Sequence, residues 1–343
     1  MNKKKIALIT TLVVVAFVAI YAYINIFSGN TKFDKEEVYV YVPTGSTYED
    51  VLKIVDPYVK DISKFKFVAE KRSYDENVFP GRFLFKKGMS SLKMISALRH
   101  NEPVNLAFNN QESLEKLVSR ISSQMEVDST TLIKTIKDSA FMEKNGFNEE
   151  TILGMFIPNT YQMKWNISAE KIRDKMMDEY HTFWNADRLA KAKALEMTPE
   201  QVMTLAAIVH KETVKIDERP RVAGVYLNRL KLEMPLQADP TVIFAKKKRD
   251  NDFNQIIKRV FQGDLRIDSP YNTYMHIGLP PGPIAMPDIS AIDAVLNAEK
   301  HDYVYFCASV ERMGYHDFAS TYEAHMVNAR KYAEWVTKLG IQR

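Results

Sequence analysis

The alternation of hydrophobic and polar positions divides the chain into regions of different character. From Ile6 to Thr31 no charged residue occurs, and the run IALITTLVVVAFVAIYAYINIF is apolar on every face. About 20 such residues cross a bilayer as a helix. The apolar core of a cleaved signal peptide is usually about 7–15 residues and ends in small residues. This run is longer and ends in bulky ones, so the pattern predicts an uncleaved single-pass anchor over residues 6–28. Lys3, Lys4 and Lys5 precede it, which keeps the tail 1–5 in the cytoplasm and sends everything after the anchor across the cytoplasmic (inner) membrane.

From Glu37 the pattern changes to strict alternation in VYVYV, a strand stopped by Pro43 and Gly45. Ser46 or Thr47 can cap the helix YEDVLKIV, with Val51, Ile54 and Val55 on one face. FVAEKR reads as a second short helix, GRFLFKKGM as a strand and SSLKMISALRHNEP as a helix, so residues 37–105 form a small α+β unit. Between Val104 and Met197 helical spacing dominates. Leu114, Leu117, Val118 and Ile121 share one stripe, and TTLIKTIKDSAFM repeats it. LGMFIPNTYQM interrupts this region, and of two readings, a structural turn that packs Phe156 and Tyr161 or a cleft-lining loop, the turn is preferred.

The strongest local grammar lies in MTPEQVMTLAAIVHKET. Thr198 is placed as N-cap, Pro199 at the first helical position and Gln201 three residues after the cap. Val202, Leu205, Ala206 and Val209 make the buried stripe, and Glu212 falls on its flank while Lys211 points away. RPRVAGVYLNRLKLEM predicts the next helix, with Val222, Val225, Tyr226 and Leu230 inward. In MPLQADPTVIFA, Asp239-Pro240 is set to cap and start another helix after a polar loop carrying Gln237. KKKRD at Lys246 to Asp250 reads as a solvated loop. SPYNTYMHIGLPPGPIAMPD is a long proline-stiffened loop displaying Tyr271, Asn272, Thr273 and Tyr274. YVYFCAS and GYHDF form a hairpin, with Cys307 at a buried strand position, and STYEAHMVNARKYAEWV closes the chain as a helix.

Composition narrows the function classes. The formal charge of +4 falls to about +1 without the three N-terminal lysines, which is no electrostatic footprint for nucleic acid. A single cysteine excludes an intrachain disulfide. No metal-ligand spacing, nucleophile elbow or phosphate-cradling glycine loop is present, so neither metal nor cofactor is expected. His316 and His325 read as structural hydrogen-bonding residues rather than bases. There remains an acid on the margin of an apolar face, together with loops rich in Tyr, Asn, Gln and Thr. Burial raises a Glu pKa and suits it to protonate a glycosidic oxygen, for which aromatic faces and amides are common holders. A surface carboxylate that merely ends a helix would occupy the same position, and the pattern alone does not choose.

AAIVHKET, RPRVAGVYLNRLKLEMPLQADPTVIF and YNTYMHIGLPPGPI, in this order, closely resemble the MltG (YceG-like) endolytic murein transglycosylases. The likeness implies an anchor, a LysM-like subdomain over 37–105 and a YceG-like catalytic domain over 106–343. It implies cleavage inside nascent glycan strands of peptidoglycan, leaving 1,6-anhydro-N-acetylmuramic acid ends, with wall synthases as candidate partners. The family's catalytic acid, in K-E-T, corresponds to Glu212, which would protonate the leaving oxygen and then take a proton from the muramic 6-hydroxyl. By the same likeness Gln237, Asp239, Thr241, Tyr271, Asn272, Thr273 and Tyr274 would line the glycan cleft. The chain departs from the family in three places: His210 where a Glu is common, FNNQES in place of a P-E-G-like start, and AHM in place of E-H-N at His325. A function of another class, a catalytically silent wall-binding scaffold that recruits synthases, would require Glu212 to be dispensable.

Overall fold

The computed structural model describes residues 3–338 of a mixed α+β protein. It divides into two units. One runs to Leu106 and takes in Gln124–Val127 and Tyr161–Ser168; the other holds Ala107–Ser123, Asp128–Thr160 and the chain from Ala169 onward.

The first unit begins with α1 (Lys3–Phe27), long and apolar enough to cross a membrane and exposed along nearly its whole length. Residues 1 and 2 of the expected cytoplasmic tail lie outside the described residues, and Lys3 to Lys5 form the first turn of the helix. Next come β1 (Glu37–Val42), α2 (Tyr48–Val55), α3 (Ile62–Lys71), β2 (Gly81–Lys86) and α4 (Ser91–Ala97). The α2 cap is Thr47, whose side chain accepts the Asp50 N–H while the Asp50 carboxylate accepts that of Thr47. β1 and β2 pair antiparallel, with Val40 opposite Phe83 and Val42 opposite Gly81. Their inward side chains join Val51, Val55, Phe65 and Leu98 in one buried cluster. The region expected to be helical from Val104 opens instead with a strand, β3 (Pro103–Phe108), in which Val104, Leu106 and Phe108 are buried alternately.

The second unit continues with α5 (Leu114–Ser122), α6 (Ser129–Ile136) and α7 (Ser139–Lys144). β4 (Asn159–Lys164), whose residues from Tyr161 on belong to the first unit, pairs with β3, so the segment read as a turn at NTYQM is a strand. The period of two in both six-residue stretches is too short to stand out against the flanking helical spacing. Phe156 and Tyr161 are both buried, as expected of that segment. Helices α8 (Ala169–Phe183), α9 (Ala186–Ala194), α10 (Pro199–Glu212), α11 (Arg219–Lys231), α12 (Asp239–Arg249) and α13 (Ile289–Leu296) follow. The hairpin β5 (Tyr305–Ala308) and β6 (His316–Ala319) and then α14 (Tyr322–Lys338) complete the unit.

α10 is the centre of this unit, packed by α11, α12 and α13. Its burial is not confined to the expected stripe: every residue from Val202 to Val209 is buried. In α11 the inward residue near the end is Arg229, not Leu230. Its guanidinium donates to the carbonyls of Val304, Pro235 and Leu236, so this buried cation holds two loops together. KKKRD is not a solvated loop. Lys246 to Arg249 form the last turn of α12, and Lys246, Lys247 and Lys248 pair with Asp264, Glu112 and Glu150. Cys307, opposite Asp317 in the β5–β6 pair, is half-buried rather than buried, because this two-stranded sheet is covered incompletely.

Candidate active site

α10 is pinned at its start by the expected capping box: Thr198 Oγ accepts the Gln201 N–H, and the Gln201 side chain accepts that of Thr198. With its start fixed and its middle sealed in the core, its last residue, Glu212, is delivered to the edge of the apolar interior. There the Tyr226 O–H, from α11, donates to Glu212 Oε1 at 2.8 Å. Tyr226 is itself 1% exposed and its ring meets Phe306 of β5 edge-on at 5.9 Å. Burial pushes the Glu212 carboxyl up to about 7. The Tyr226 hydrogen bond opposes that rise, the negative charge of Asp239 adds to it, and His316 and Arg229 reduce it. A carboxyl so placed carries its proton in a large fraction of molecules at neutral pH and can give it up to a substrate.

Glu212 lines a cavity of about 370 Å³ together with Arg229, Gln237, Asp239, Tyr274 and His316, among others. The residues suggested by resemblance fall into three groups. Gln237, Asp239 and Tyr274 face this cavity, and the Tyr274 O–H donates to Asp239 Oδ1 at 2.7 Å. Thr241, Thr273 and Asn272 are buried and do not line it. The Gln237 N–H donates to Thr273 O, the Ala238 N–H to Thr273 Oγ1, and the Thr241 and Thr273 hydroxyls lie 2.9 Å apart. The two threonines thus fasten the L-Q-A-D-P-T segment to the Y-N-T-Y loop. Asn272 braces that loop by donating to the carbonyls of Leu265 and Ile267. Tyr271 belongs to neither group: its O–H donates to Glu150 Oε2 at 2.6 Å, on a separate cavity of about 640 Å³.

Asp239 is the first residue of α12 rather than its cap, since Ala238 holds the cap position and Asp239 turns its carboxylate to Tyr274. Gln237 adopts φ 48°, a left-handed conformation that costs a non-glycine residue roughly 1–3 kcal/mol and recurs at ligand sites. His210 does not approach Glu212 as a charge partner. Its Nδ1 lies 3.1 Å from Asp288 Oδ2 and 3.3 Å from an Arg219 nitrogen, and burial first, then the Arg219 and Lys211 charges, lower its pKa against the opposing pull of Asp288.

Sequence reasoning missed several groups around the acid. Tyr226 was legible only as an inward residue, 14 positions beyond Glu212. His316 and its partner Glu218 lie 98 residues apart, and nothing local announces their meeting.

The second unit thus holds a half-buried carboxyl of raised pKa at a helix end, on a cleft that also presents phenols, an amide and a second carboxylate. Residues 40–331 match the YceG-like family, and the chain belongs to it. Among its relatives is an endolytic murein transglycosylase of Bacillus subtilis (strain 168), 26% identical over 321 residues, covering 88% of this chain and 86% of that protein. Another endolytic murein transglycosylase, from Streptococcus pneumoniae (strain R6), is 26% identical over 332 residues. That match takes in 87% of this chain but 59% of the longer pneumococcal protein. The crystal structure of a yceG-like protein from Listeria monocytogenes superposes with a TM-score of 0.58 at 27% identity, covering 86% of this chain and 99% of that one.

Proposed function

We propose that this protein is a membrane-anchored lytic transglycosylase of peptidoglycan. It cuts the bond between N-acetylmuramic acid and N-acetylglucosamine within nascent strands, leaves 1,6-anhydro-muramic ends and so terminates strand elongation. The observation that carries this reading is the carboxyl of Glu212, raised to about 7 in a polar, aromatic cleft. Glu212 protonates the leaving oxygen as positive charge develops at the anomeric carbon. Attack by the sugar's own 6-hydroxyl in place of water removes the need for a water-activating carboxylate. In the simplest scheme the carboxylate left on Glu212 collects the hydroxyl proton. Gln237, Asp239 and Tyr274 hold the sugar beside it.

The apolar helix α1 serves as a single-pass anchor with the catalytic unit outside the cytoplasm, next to newly made strands and within reach of wall synthases. The LysM-like unit at residues 37–105 adds a second glycan contact. Tyr39 and Tyr41 are exposed on β1, with the Arg82 guanidinium 4.0 Å over the Tyr39 ring and Trp165 5.0 Å from Tyr41. Such a group of flat faces suits sugar rings.

The test is the purified full-length chain in detergent acting on uncrosslinked glycan strands, with Glu212→Gln beside it and products read by mass spectrometry. Anhydro ends that vanish in the variant are expected. Hydrated ends would mean a hydrolase, and Asp239 would become the second carboxylate to examine. Equal behaviour of the two proteins with no cleavage would favour the silent scaffold.

A further inference from the structure

The hairpin that closes the second unit brings a second titratable group to the cavity of Glu212. His316 opens β6 and lines that cavity. Its Nδ1 lies 2.8 Å from Glu218 Oε2, and its backbone N–H donates to Glu218 Oε1 at 2.7 Å. Glu218 is 4% exposed, deep under the hairpin. Burial works to raise its carboxyl, but the side-chain and backbone hydrogen bonds from His316 outweigh burial and hold it below the ordinary Glu value. An ionised carboxylate only accepts hydrogen bonds, so Nδ1 is the nitrogen that carries the proton. Nε2 makes no hydrogen bond to the described residues, and whenever it is unprotonated it is an acceptor. The ring is further fixed by Phe306, whose centroid is 5.0 Å away at 75°. His316 also borders a second cavity with Arg221 and Asp317, but a histidine aligned by a carboxylate on the wall of a cleft that holds an acid has the arrangement of a general base.

Two neighbours are less suited. Asp239 is already engaged by the Tyr274 hydroxyl. His325, in the same cavity, stacks on Tyr305 at 5.2 Å and has a buried Nδ1 with no partner among the described residues to orient it.

We propose that His316, aligned by Glu218, is the base that takes the proton from the substrate's 6-hydroxyl while Glu212 acts as acid. This rests on the transglycosylase reading above and replaces its simplest scheme at the second proton. The Glu212 proton goes to the leaving glycosidic oxygen as its bond to the anomeric carbon breaks. The 6-oxygen bonds to that carbon as its proton passes to Nε2. The imidazolium then returns its proton to the Glu212 carboxylate through solvent in the cleft, restoring both groups. The scheme divides between two residues the work that a single carboxylate would have to do in succession.

The test compares His316→Ala, His316→Asn and Glu218→Gln with the parent full-length protein by the rate of anhydro-end formation. The Asn amide can still donate to Glu218 but has no counterpart of Nε2, so loss of activity in both His316 variants, by roughly 10²–10⁴-fold, is expected. Added imidazole restores activity to the Ala variant and not to Glu218→Gln, whose base is present but misaligned. A His316→Asn protein as active as the parent, or an Ala variant that melts like the parent yet stays inactive in imidazole, would assign His316 a structural role and overturn the proposal. Should the parent itself form no anhydro ends, it is the transglycosylase reading that falls.

Discussion

Glu212, the acid of the proposed reaction, should also cost the protein stability, and in a pH-dependent way. Glu212 rises from an ordinary 4.5 to about 7 in the fold. A folded-state pKa above the unfolded one means the native protein binds this proton more tightly. Stability from this group is therefore complete below about 4.5, declines as pH rises through the window to about 7, and stays low above it. At about 1.36 kcal/mol per pH unit, the interval corresponds to an upper value of about 3.4 kcal/mol. Glu212→Gln removes the titration while keeping the shape and an oxygen that can accept the Tyr226 O–H. The variant should match the parent at pH 4.5 and exceed it by about 2–3 kcal/mol at pH 8.5. At about 2–4 °C per kcal/mol for a unit of this size, the melting transition should move up by roughly 4–12 °C. Calorimetry of both full-length proteins at the two pH values measures this, because the other titrating groups are common to both and cancel. A gain of equal size at both pH values would show a packing effect. A less stable variant at pH 8.5 would refute the claim that burial of the carboxyl disfavours its charge.

Two neighbours of the acid should move its pKa in opposite directions, and a fold position gives a further check. Tyr226→Phe removes a hydrogen bond that favours the carboxylate, so the alkaline limb of the rate against pH should shift upward; Asp239→Asn removes a negative charge that disfavours it, so the limb should shift downward. Parallel shifts in both, read from glycan-strand cleavage across pH, would contradict the roles given to them. Gly224→Ala would place a Cβ 2.5 Å from Glu299 O and 2.6 Å from His301 Nε2, forcing α11 away from that segment. Denaturant unfolding should record a loss of about 1–3 kcal/mol, and an unchanged midpoint would show that the segment yields freely.

What the sequence could say about this site follows from the range of the physics involved. The start, stripe and end of α10 depend on residues within one or two turns of each other, so the capping by Thr198 and Gln201 and the position of Glu212 on the stripe's flank are legible in the local pattern, whereas a role for Glu212 is suggested only by the family resemblance. The same local logic failed where two elements compete for a short stretch. Pro103–Phe108 and Asn159–Lys164 alternate for six residues each and become strands because they find one another, which neither segment can declare alone. Charge misled for a related reason. KKKRD looks solvated until Glu112, Glu150 and Asp264 arrive from elsewhere to neutralise three of its cations.

The motif residues show the limit most clearly. Asp239 and Thr241, or Thr273 and Tyr274, are close in sequence, yet one of each pair faces the cavity and the other is a buried fastener. Their spacing marks them as belonging together without saying which makes the cleft and which holds it shut. That division matters for mutagenesis. Removing the Thr241 or Thr273 hydroxyl would abolish activity by loosening Gln237 and Asp239, and the loss would look catalytic unless stability were measured beside it. Glu212 and His316 are different in kind. One is buried against its ionised form, and the other is held by a carboxylate that, among the described residues, has this histidine and Thr213 as its side-chain hydrogen-bond partners. Glu212 is kept in its setting at the expense of the fold, so a substitution that stabilises the protein while silencing it is the signature to look for there. Loss of His316 takes the partner from a buried carboxylate, so silencing at that position should come with a loss of stability.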